Sequence, residues 1–213
     1  MVRHSKRKIL NYPKSANRLA LKWLCVAVPD SRSRMEESRL IDLARKGERE
    51  ALRNLVRLYY PSVLRFLSTL CRNPDDAEEL AQETFVKALK GLSKFRGKSG
   101  LRTWLHSIAF YEFTHRKRRE RTVLALPDDA QSQLFEARSV LALELEHALQ
   151  CVPEDFRAAF ILCDVQELSM NEASEVLGIP VGTVKSRLHT ARKRLQALLE
   201  PEHKENNHES RIS

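Results

Sequence analysis

The spacing of apolar residues predicts two helices joined by a tight turn over residues 168–199. Ser169 and Glu172 form a capping-box pattern, in which a hydroxyl and a carboxylate satisfy free N–H groups where a helix begins. Gly178 fits the left-handed position that ends this helix, and Pro180 fits the first turn of the next one. In the second helix, apolar residues recur every three or four positions. They predict one buried stripe: Val184, Leu188, Ala191, Leu195 and Leu198.

The second helix, from Val181 to about Leu199, carries cations around its polar side. At 100° per residue, the face opposite the stripe comprises Gly182, Ser186, His189, Thr190 and Lys193, and the flanks carry Lys185, Arg187, Arg192 and Arg194. Flanking cations can hold phosphates while central side chains reach base edges in a major groove. Two helices joined by a glycine-containing turn are typical of a helix-turn-helix. DNA binding is favoured over a solvated basic face, because solvated faces usually mix both signs of charge.

The remaining pattern predicts an all-α fold of two small domains. Helical stripes begin near Glu37, are interrupted at Gly47 and restart at Pro61. The expected core of this part is Leu40, Leu43, Ala44, Ala51, Leu52, Leu55, Val56, Leu58, Tyr59, Val63, Leu64, Phe66, Leu67 and Leu70. Residues 122 to about 138 lack periodicity and are interpreted as a flexible linker. A second set of stripes follows, in which Pro153 begins a helix.

A strong helix start lies at Asn73, where a capping side chain precedes a proline and two carboxylates near the positive end of the helix. We expect this helix to reach about Lys90 and to end at Gly91. Its polar face comprises Asp75, Asp76, Glu79, Gln82, Glu83 and Val86. Such a face is commonly just solvated, but an exposed Val86 among acids makes a protein-binding face the alternative.

Residues 95–100 form a loop with two glycines and two cations, and a helix from Leu101 to about Arg121 follows it. The end of that helix is the densest basic run outside the N-terminal extension, and phenylalanines interleave with the charge: Phe95, Phe110 and Phe113. Aromatic rings beside cations suit unpaired bases, which stack while the charges follow the backbone. The alternative is a set of core phenylalanines with basic residues complementing a helix end. Both interpretations stay open from sequence.

The formal charge of +9 over 213 residues is concentrated at the N-terminus. Residues 1–34 hold nine Lys/Arg and one Asp, a local +8, which leaves +1 for residues 35–213. The total charge therefore says little about function. The extension lacks the pattern of the rest, and one interpretation is that translation starts at Met35.

Four scattered cysteines have neither zinc-ligand nor disulfide-framework spacing: Cys25, Cys71, Cys151 and Cys163. Buried reduced thiols are expected, which fits a cytoplasmic protein. The apolar stretch 19–28 is interrupted by Lys22 and precedes no small-residue cleavage site, and no apolar run approaches the roughly 20 residues of a membrane span. The sequence contains no phosphate-cradling glycine loop, nucleophile elbow or metal-ligand spacing, so neither an enzyme nor a cofactor is expected.

Four segments resemble bacterial RNA polymerase sigma factors. Residues 76–85 (DAEELAQETF), 95–97 (FRG) and 102–105 (RTWL) are similar to region two, and residues 181–188 (VGTVKSRL) are similar to region four. Since there is no room for a region-three domain, the resemblance is to the extracytoplasmic-function (ECF) subfamily. The alternative, a helix-turn-helix regulator without sigma activity, gives no purpose to the acidic face or the aromatic-basic loop.

The resemblance implies roles for three surfaces. The acidic face would bind core RNA polymerase, at the β′ clamp helices, through Asp76, Glu79, Gln82, Glu83 and Val86. The loop and the helix after it would capture flipped bases of the minus-ten element through Phe95, Arg96, Lys98, Ser99, Arg102, Phe110, Arg116 and Arg118. The helix-turn-helix would read the minus-thirty-five duplex through Thr183, Lys185, Ser186, Arg187, His189, Thr190, Arg192 and Lys193.

The resemblance also implies a domain plan: region two over 35–121, the linker over 122–138, region four over 139–200 and a polar tail over 201–213. The linker would thread the RNA-exit path of the polymerase, whose β and β′ subunits are expected partners, and an anti-sigma factor is expected for the subfamily. Two positions depart from the family pattern. Tyr111 stands where an Asn is common, and Thr190 stands where an Arg is common.

Overall fold

The computed structural model describes residues 33–123 and 140–199, and every regular element in these ranges is helical. The α-helices are α1 (Ser33–Arg45), α2 (Arg49–Leu70), α3 (Pro74–Gly91), α4 (Leu101–Val123), α5 (Val140–Cys151), α6 (Glu154–Phe160), α7 (Met170–Leu177) and α8 (Val181–Leu199). A 3₁₀ turn, Leu92–Lys94, follows α3, and a π-helical turn, Ile161–Val165, follows α6. The predicted all-α fold is confirmed. The predictions for the N-terminal extension, the linker and the tail fall mostly outside the described residues.

Helices α1–α4 form the first bundle, in which α2 and α4 both pack against α3. Apolar side chains from three helices meet at its centre, where Leu55, Phe66, Leu80 and Leu105 are fully buried. Removing this apolar surface from water is the main free-energy gain of such a bundle. Helix α1 is tied to α2 by a hydrogen bond that the Tyr59 hydroxyl donates to the Glu37 carboxylate.

The predicted break at Pro61 is wrong, because α2 continues through this residue as one helix. A proline costs the helix one backbone hydrogen bond. The exposed position of Pro61 leaves the buried face of α2 intact on both sides, so packing holds the helix together. Two predicted core residues are also exposed, Leu58 to 42% and Leu198 to 45%. Leu58 lies off the buried stripe of α2, and Leu198 lies in the exposed last turn of α8.

Helices α5–α8 form the second bundle, and its helix-turn-helix agrees with the sequence prediction. The Ser169 hydroxyl accepts from the backbone N–H of Glu172 at 3.2 Å, and the Glu172 carboxylate accepts from the backbone N–H of Ser169 at 2.8 Å. Gly178 ends α7 with φ of +64°. The buried stripe of α8 comprises Val184, Leu188, Ala191 and Leu195.

The cysteines are not uniformly buried: Cys71 is buried, Cys163 is half-buried and Cys151 is exposed. None of the helices within 33–123 and 140–199 has both the length and the apolar character needed to cross a bilayer.

The turn of the helix-turn-helix should depend on Gly178. Replacing Gly178 with Ala places a Cβ at positive φ and should lower the free energy of unfolding by about 1–2 kcal/mol, although no neighbour crowds the site. Gly182→Ala, inside α8 and equally uncrowded, is the matched control and should stabilise by about 0.5 kcal/mol. Urea unfolding followed by circular dichroism measures both. Equal urea midpoints for Gly178→Ala and Gly182→Ala would contradict the requirement for glycine at the end of α7.

Candidate nucleic-acid and protein interfaces

The acidic face of α3 is exposed and borders an open groove of about 740 Å³ between α3 and α4. The cap of Asn73 accepts from the N–H of Asp75 at 2.9 Å and fixes the start of the helix. Val86 is 52% exposed among the acids. The α3 side of the groove presents carboxylates and Val86, and cations from α3 and α4 line the rest of it: Lys87, Lys90, Arg116 and Arg119.

Arg116, in the basic run at the end of α4, lies against this face. Its guanidinium is 2.9 Å from Glu79, 3.5 Å from Asp76 and 3.6 Å from Glu83. The sequence placed Arg116 with the minus-ten residues, whereas the structure places it at the centre of the acidic cluster. Part of the face is thus neutralised from within the molecule.

The phenylalanines around the basic loop belong mainly to the core. Phe95 is buried, its ring centroid is 4.9 Å from that of Trp104, and the Arg45 guanidinium lies 5.8 Å from its centroid. Phe113 is buried, and Phe110 is half-buried with its ring 6.5 Å from Phe66. In this conformation no base can stack on Phe95. The core alternative is the better description of these rings.

The loop nevertheless presents cations. Arg96 and Lys98 are exposed and Ser99 is half-buried, while Gly97 adopts φ of +68°, which turns the chain outward. A further aromatic ring, which the sequence analysis noted only as a departure from the family pattern, lies on α4: Tyr111 is 61% exposed and stacks on His115 with centroids 5.8 Å apart. The face of Tyr111 is thus accessible from solvent, whereas Phe95 is buried. Arg118 is also exposed on this helix.

Another predicted minus-ten cation, Arg102, contacts the second bundle. Its Nη2 donates to the Gln166 side-chain oxygen at 2.9 Å and also to the Gln166 backbone carbonyl. Next to it, the Thr103 hydroxyl donates to Glu172 at 3.2 Å. Burial alone would raise the pKa of Glu172, but hydrogen bonds from Ser169 and Thr103 bring that pKa below its usual value. No sequence pattern connects residues 102 and 166.

One turn further along α4, His106 is fully buried. Its Nδ1 lies 2.8 Å from the Arg102 carbonyl, which can only accept, so this nitrogen carries the hydrogen of the neutral ring. Its Nε2 lies 3.5 Å from the Ser62 hydroxyl, and its ring centroid is 5.3 Å from that of Phe66. Burial lowers the pKa of His106 to about 4. The ring is therefore neutral at pH 7.

The polar face of α8 is open to solvent. Lys185, Ser186, His189 and Lys193 are exposed, and Thr183 and Thr190 are half-buried. The flanks are held by acids on neighbouring elements that the sequence analysis did not find. Arg187 lies 3.2 Å from Asp155, and the Nε of Arg192 lies 2.7 Å from Asp164. Arg194 lies over the ring of Phe156 at 5.2 Å. Asp155, Asp164 and Phe156 lie 28 to 38 residues before the α8 residues that they contact, so no local sequence pattern reveals them.

These features define a two-bundle helical protein with a helix-turn-helix whose exposed side is basic and a separate helix face that is largely acidic. Comparison with known proteins agrees. The family model for Sigma-70 region 2 matches residues 55–123, and the model for Sigma-70 region 4 matches residues 142–195.

Named relatives and a solved structure are similar over most of the chain. RNA polymerase sigma factor YlaC of Bacillus subtilis is 34% identical over 160 residues, which cover 70% of this chain and 91% of YlaC. ECF RNA polymerase sigma factor EcfG of Rhodopseudomonas palustris is 34% identical over 155 residues, covering 70% and 86%. The structure of Bartonella quintana sigma factor RpoE, solved with the anti-sigma factor NepR, matches with a TM-score of 0.61 and 30% identity, covering 70% of this chain and 97% of RpoE.

The chain belongs to the ECF subfamily of sigma-70 factors, and it is an alternative sigma factor that directs promoter-specific transcription initiation by core RNA polymerase.

The buried neutral His106 should make stability fall as the pH is lowered. Because the folded pKa of about 4 lies below the ordinary 6.5, the unfolded chain binds the proton first, and stability is lost between pH 6.5 and about 4. Between pH 7.5 and 5, this group should cost about 2 kcal/mol. Urea unfolding of the protein and of His106→Gln at both pH values isolates the effect from that of the carboxylates. An equal loss of stability in the unmodified protein and in His106→Gln would contradict the predicted contribution of His106.

Proposed function

We propose that three surfaces divide the work of initiation in this sigma factor. The α3 acidic face, with Asp76, Glu79, Gln82, Glu83 and Val86, binds the β′ clamp of core polymerase. The loop 95–100 and α4 bind the opened minus-ten strand, and α8 reads the minus-thirty-five duplex. The observation that carries this proposal is the pairing of the α3 acidic face, which exposes Val86 among carboxylates, with a solvent-facing basic helix on two bundles of one chain.

At the polymerase surface, the carboxylates supply charge complementarity and Val86 supplies apolar contact. Opposite charges steer encounter and fix orientation, and the apolar centre of an interface contributes more of the affinity. Arg116 competes with a basic partner for the same carboxylates. Its guanidinium is half-buried and bridges three carboxylates, so a basic partner must displace it to use their full charge.

At the minus-ten surface, we infer that Arg96, Lys98, Ser99 and Arg118 hold the backbone of the opened strand. Tyr111 replaces Phe95 in this proposal as the ring on which a base stacks, since it is the exposed aromatic of this helix. Each base stacked on such a ring contributes about 1–3 kcal/mol, which offsets the cost of unstacking it from the duplex.

At the minus-thirty-five surface, the exposed centre of α8, which includes Lys193, faces the base edges while Lys185 and Arg187 on its flanks face the phosphates. Asp155 pairs with Arg187 at 3.2 Å before DNA arrives. Phosphate contacts set register and affinity, and base-edge contacts set sequence preference. The polymerase and DNA act in the cytoplasm, where we place the protein, and the protein adds no enzymatic step or cofactor of its own. An anti-sigma factor is a further proposed partner, since RpoE was solved with one.

Reversing the charge of the acidic face should abolish sigma activity without unfolding the bundle. In Glu79→Lys/Glu83→Lys, both side chains are exposed or half-buried, and the new cations would repel Arg116 and a basic partner alike. Affinity for core polymerase should fall at least about tenfold, as like charges at an interface cost several kcal/mol. Run-off transcription with purified core enzyme on genomic fragments, together with a direct core-binding assay, measures the effect.

The matched control is Glu144→Lys/Glu175→Lys, which makes the same change in charge at exposed positions of the second bundle. This control should bind core polymerase as the unmodified protein does. If both double variants weaken binding equally, net charge rather than the α3 face is responsible. If the unmodified protein starts no RNA chain at a defined position, the proposed function is wrong.

Substitutions on α8 should separate affinity from base preference. Arg187→Ala should weaken binding to all promoters by roughly 1 kcal/mol and reduce the salt slope by about 1, because it removes a phosphate contact. His189→Ala should instead change which bases are preferred. A promoter-variant library transcribed at several salt concentrations measures both. An altered base preference for Arg187→Ala with an unchanged salt slope would reverse these assignments.

A further inference from the structure

The last residue of α1, Arg45, contacts the start of the loop on which the minus-ten proposal depends. Gly47, at φ of +85°, ends the helix just beyond it, and the N–H of Glu48 bonds to the Leu43 carbonyl at 3.2 Å. This ending fixes the backbone from which the Arg45 side chain leaves α1. The side chain reaches the residues that connect α3 to α4, and it is only 32% exposed although it carries a charge.

Each nitrogen of the Arg45 guanidinium donates to a different oxygen. Nε donates to the Leu92 carbonyl at 3.4 Å, Nη2 donates to the Phe95 carbonyl, and Nη1 donates to the Asp42 carboxylate at 3.4 Å. The two carbonyls belong to the first residue of the 3₁₀ turn and to the first residue of loop 95–100. The guanidinium also lies 5.8 Å from the centroid of the Phe95 ring. A lysine cannot reproduce these contacts, because an ammonium is a single point of charge whereas a guanidinium is a planar fork.

Trp104 holds the same loop from α4, so that both ends of the loop are fixed. The centroid of its indole ring is 4.9 Å from that of Phe95, and its backbone N–H bonds to the Gly100 carbonyl at 3.0 Å. Between these ends the chain turns at Gly97, with φ of +68°, and the two cations of the loop are exposed. The loop is therefore a short span whose position depends on Arg45 at one end and on α4 at both.

We propose that Arg45 is a positioning residue for minus-ten recognition, which acts through loop 95–100 and does not itself touch DNA. The inference rests on the proposed role of this loop in binding the opened strand. A binding group must be held within about 0.5 Å of its productive position, and the residues behind it provide that precision. Arg45 provides it here, because it bonds to the backbone and contacts the ring at the point where the loop begins.

Loss of the Arg45 donors should loosen the loop and leave the bundle folded. Since the side chain is partly exposed, water can replace the guanidinium as the donor to both carbonyls. Leu92 and Phe95 remain buried against the rest of the first bundle, to which the donors of Arg45 do not contribute apolar surface. The consequence therefore falls on the position of the loop, and so on how well the sigma factor distinguishes bases in the opened strand.

The test compares Arg45→Met with the unmodified full chain, each bound to core polymerase, on a promoter identified by run-off transcription. Methionine keeps an apolar stem and removes all three donors. Promoters with single-base substitutions in the segment that permanganate shows to be unpaired measure discrimination, which is the run-off rate on the unmodified promoter divided by the rate on each substituted one. Discrimination should fall about three- to tenfold at one or more positions, as expected when a well-placed hydrogen bond is weakened. The salt slope of promoter binding should stay unchanged, whereas loss of a direct phosphate contact would reduce it by about 1.

Two further variants separate the fork from the charge and from general effects on the bundle. Arg45→Lys keeps the charge without the fork, and it should lose discrimination as Arg45→Met does. Arg53→Met is the matched control, because Arg53 pairs with Glu50 three residues earlier, as Arg45 does with Asp42, but at a position on α2 that is 67% exposed. This control should discriminate as the unmodified protein does. Circular dichroism and a core-binding assay verify that each variant is folded and bound.

A double variant of the loop, Arg96→Ala/Lys98→Ala, tests the proposed function separately. It should reduce the salt slope by about 2, because it removes two proposed phosphate contacts. An unchanged slope in this variant would show that the loop does not hold the strand, and the positioning role would fall with it. A reduced slope together with normal discrimination in both Arg45 variants overturns the positioning role alone.

Three other outcomes also overturn the positioning role. A reduced salt slope in Arg45→Met would indicate a direct phosphate contact, full discrimination in Arg45→Lys would indicate a need for charge alone, and an equal loss in Arg53→Met would indicate a general effect of removing a cation. If Arg45→Met does not fold, Arg45→Lys carries the test.

Discussion

The arrangement of this sigma factor depends on one buried carboxamide that takes partners from a different bundle. A buried amide without partners costs several kcal/mol, so Gln166 is compatible with the interior only where Ser62 and Arg102 meet it. That requirement fixes where the second bundle lies on the first. It also fixes the direction in which α8 faces, since α7 is bonded to α4 through Glu172. A polar contact is suited to this purpose, because it specifies one geometry when all its groups are hydrogen-bonded.

Both proposed interfaces are covered by ion pairs made within the molecule. Arg116 lies on the acids of α3, and Arg187 and Arg192 lie on acids next to α8. The Arg187–Asp155 pair, whose carboxylate is 65% exposed, contributes little to stability, so a DNA phosphate can replace Asp155 at small cost. The pairs also lower the charge that each surface presents to wrong partners, which favours specificity over affinity.

Features that depend on residues close in sequence could be predicted, whereas features that depend on packing between distant elements could not. The capping box, Gly178 and the buried stripe of α8 were predicted correctly because they depend on neighbours within a few residues. Continuity of α2 through Pro61 and burial of Phe95 could not be predicted, because each depends on packing against elements distant in the chain. The contact of Arg102 with Gln166 was missed for the same reason, as 64 residues separate them. The acidic and basic character of the surfaces was predicted from sequence, but the structure was needed to identify which cations face solvent.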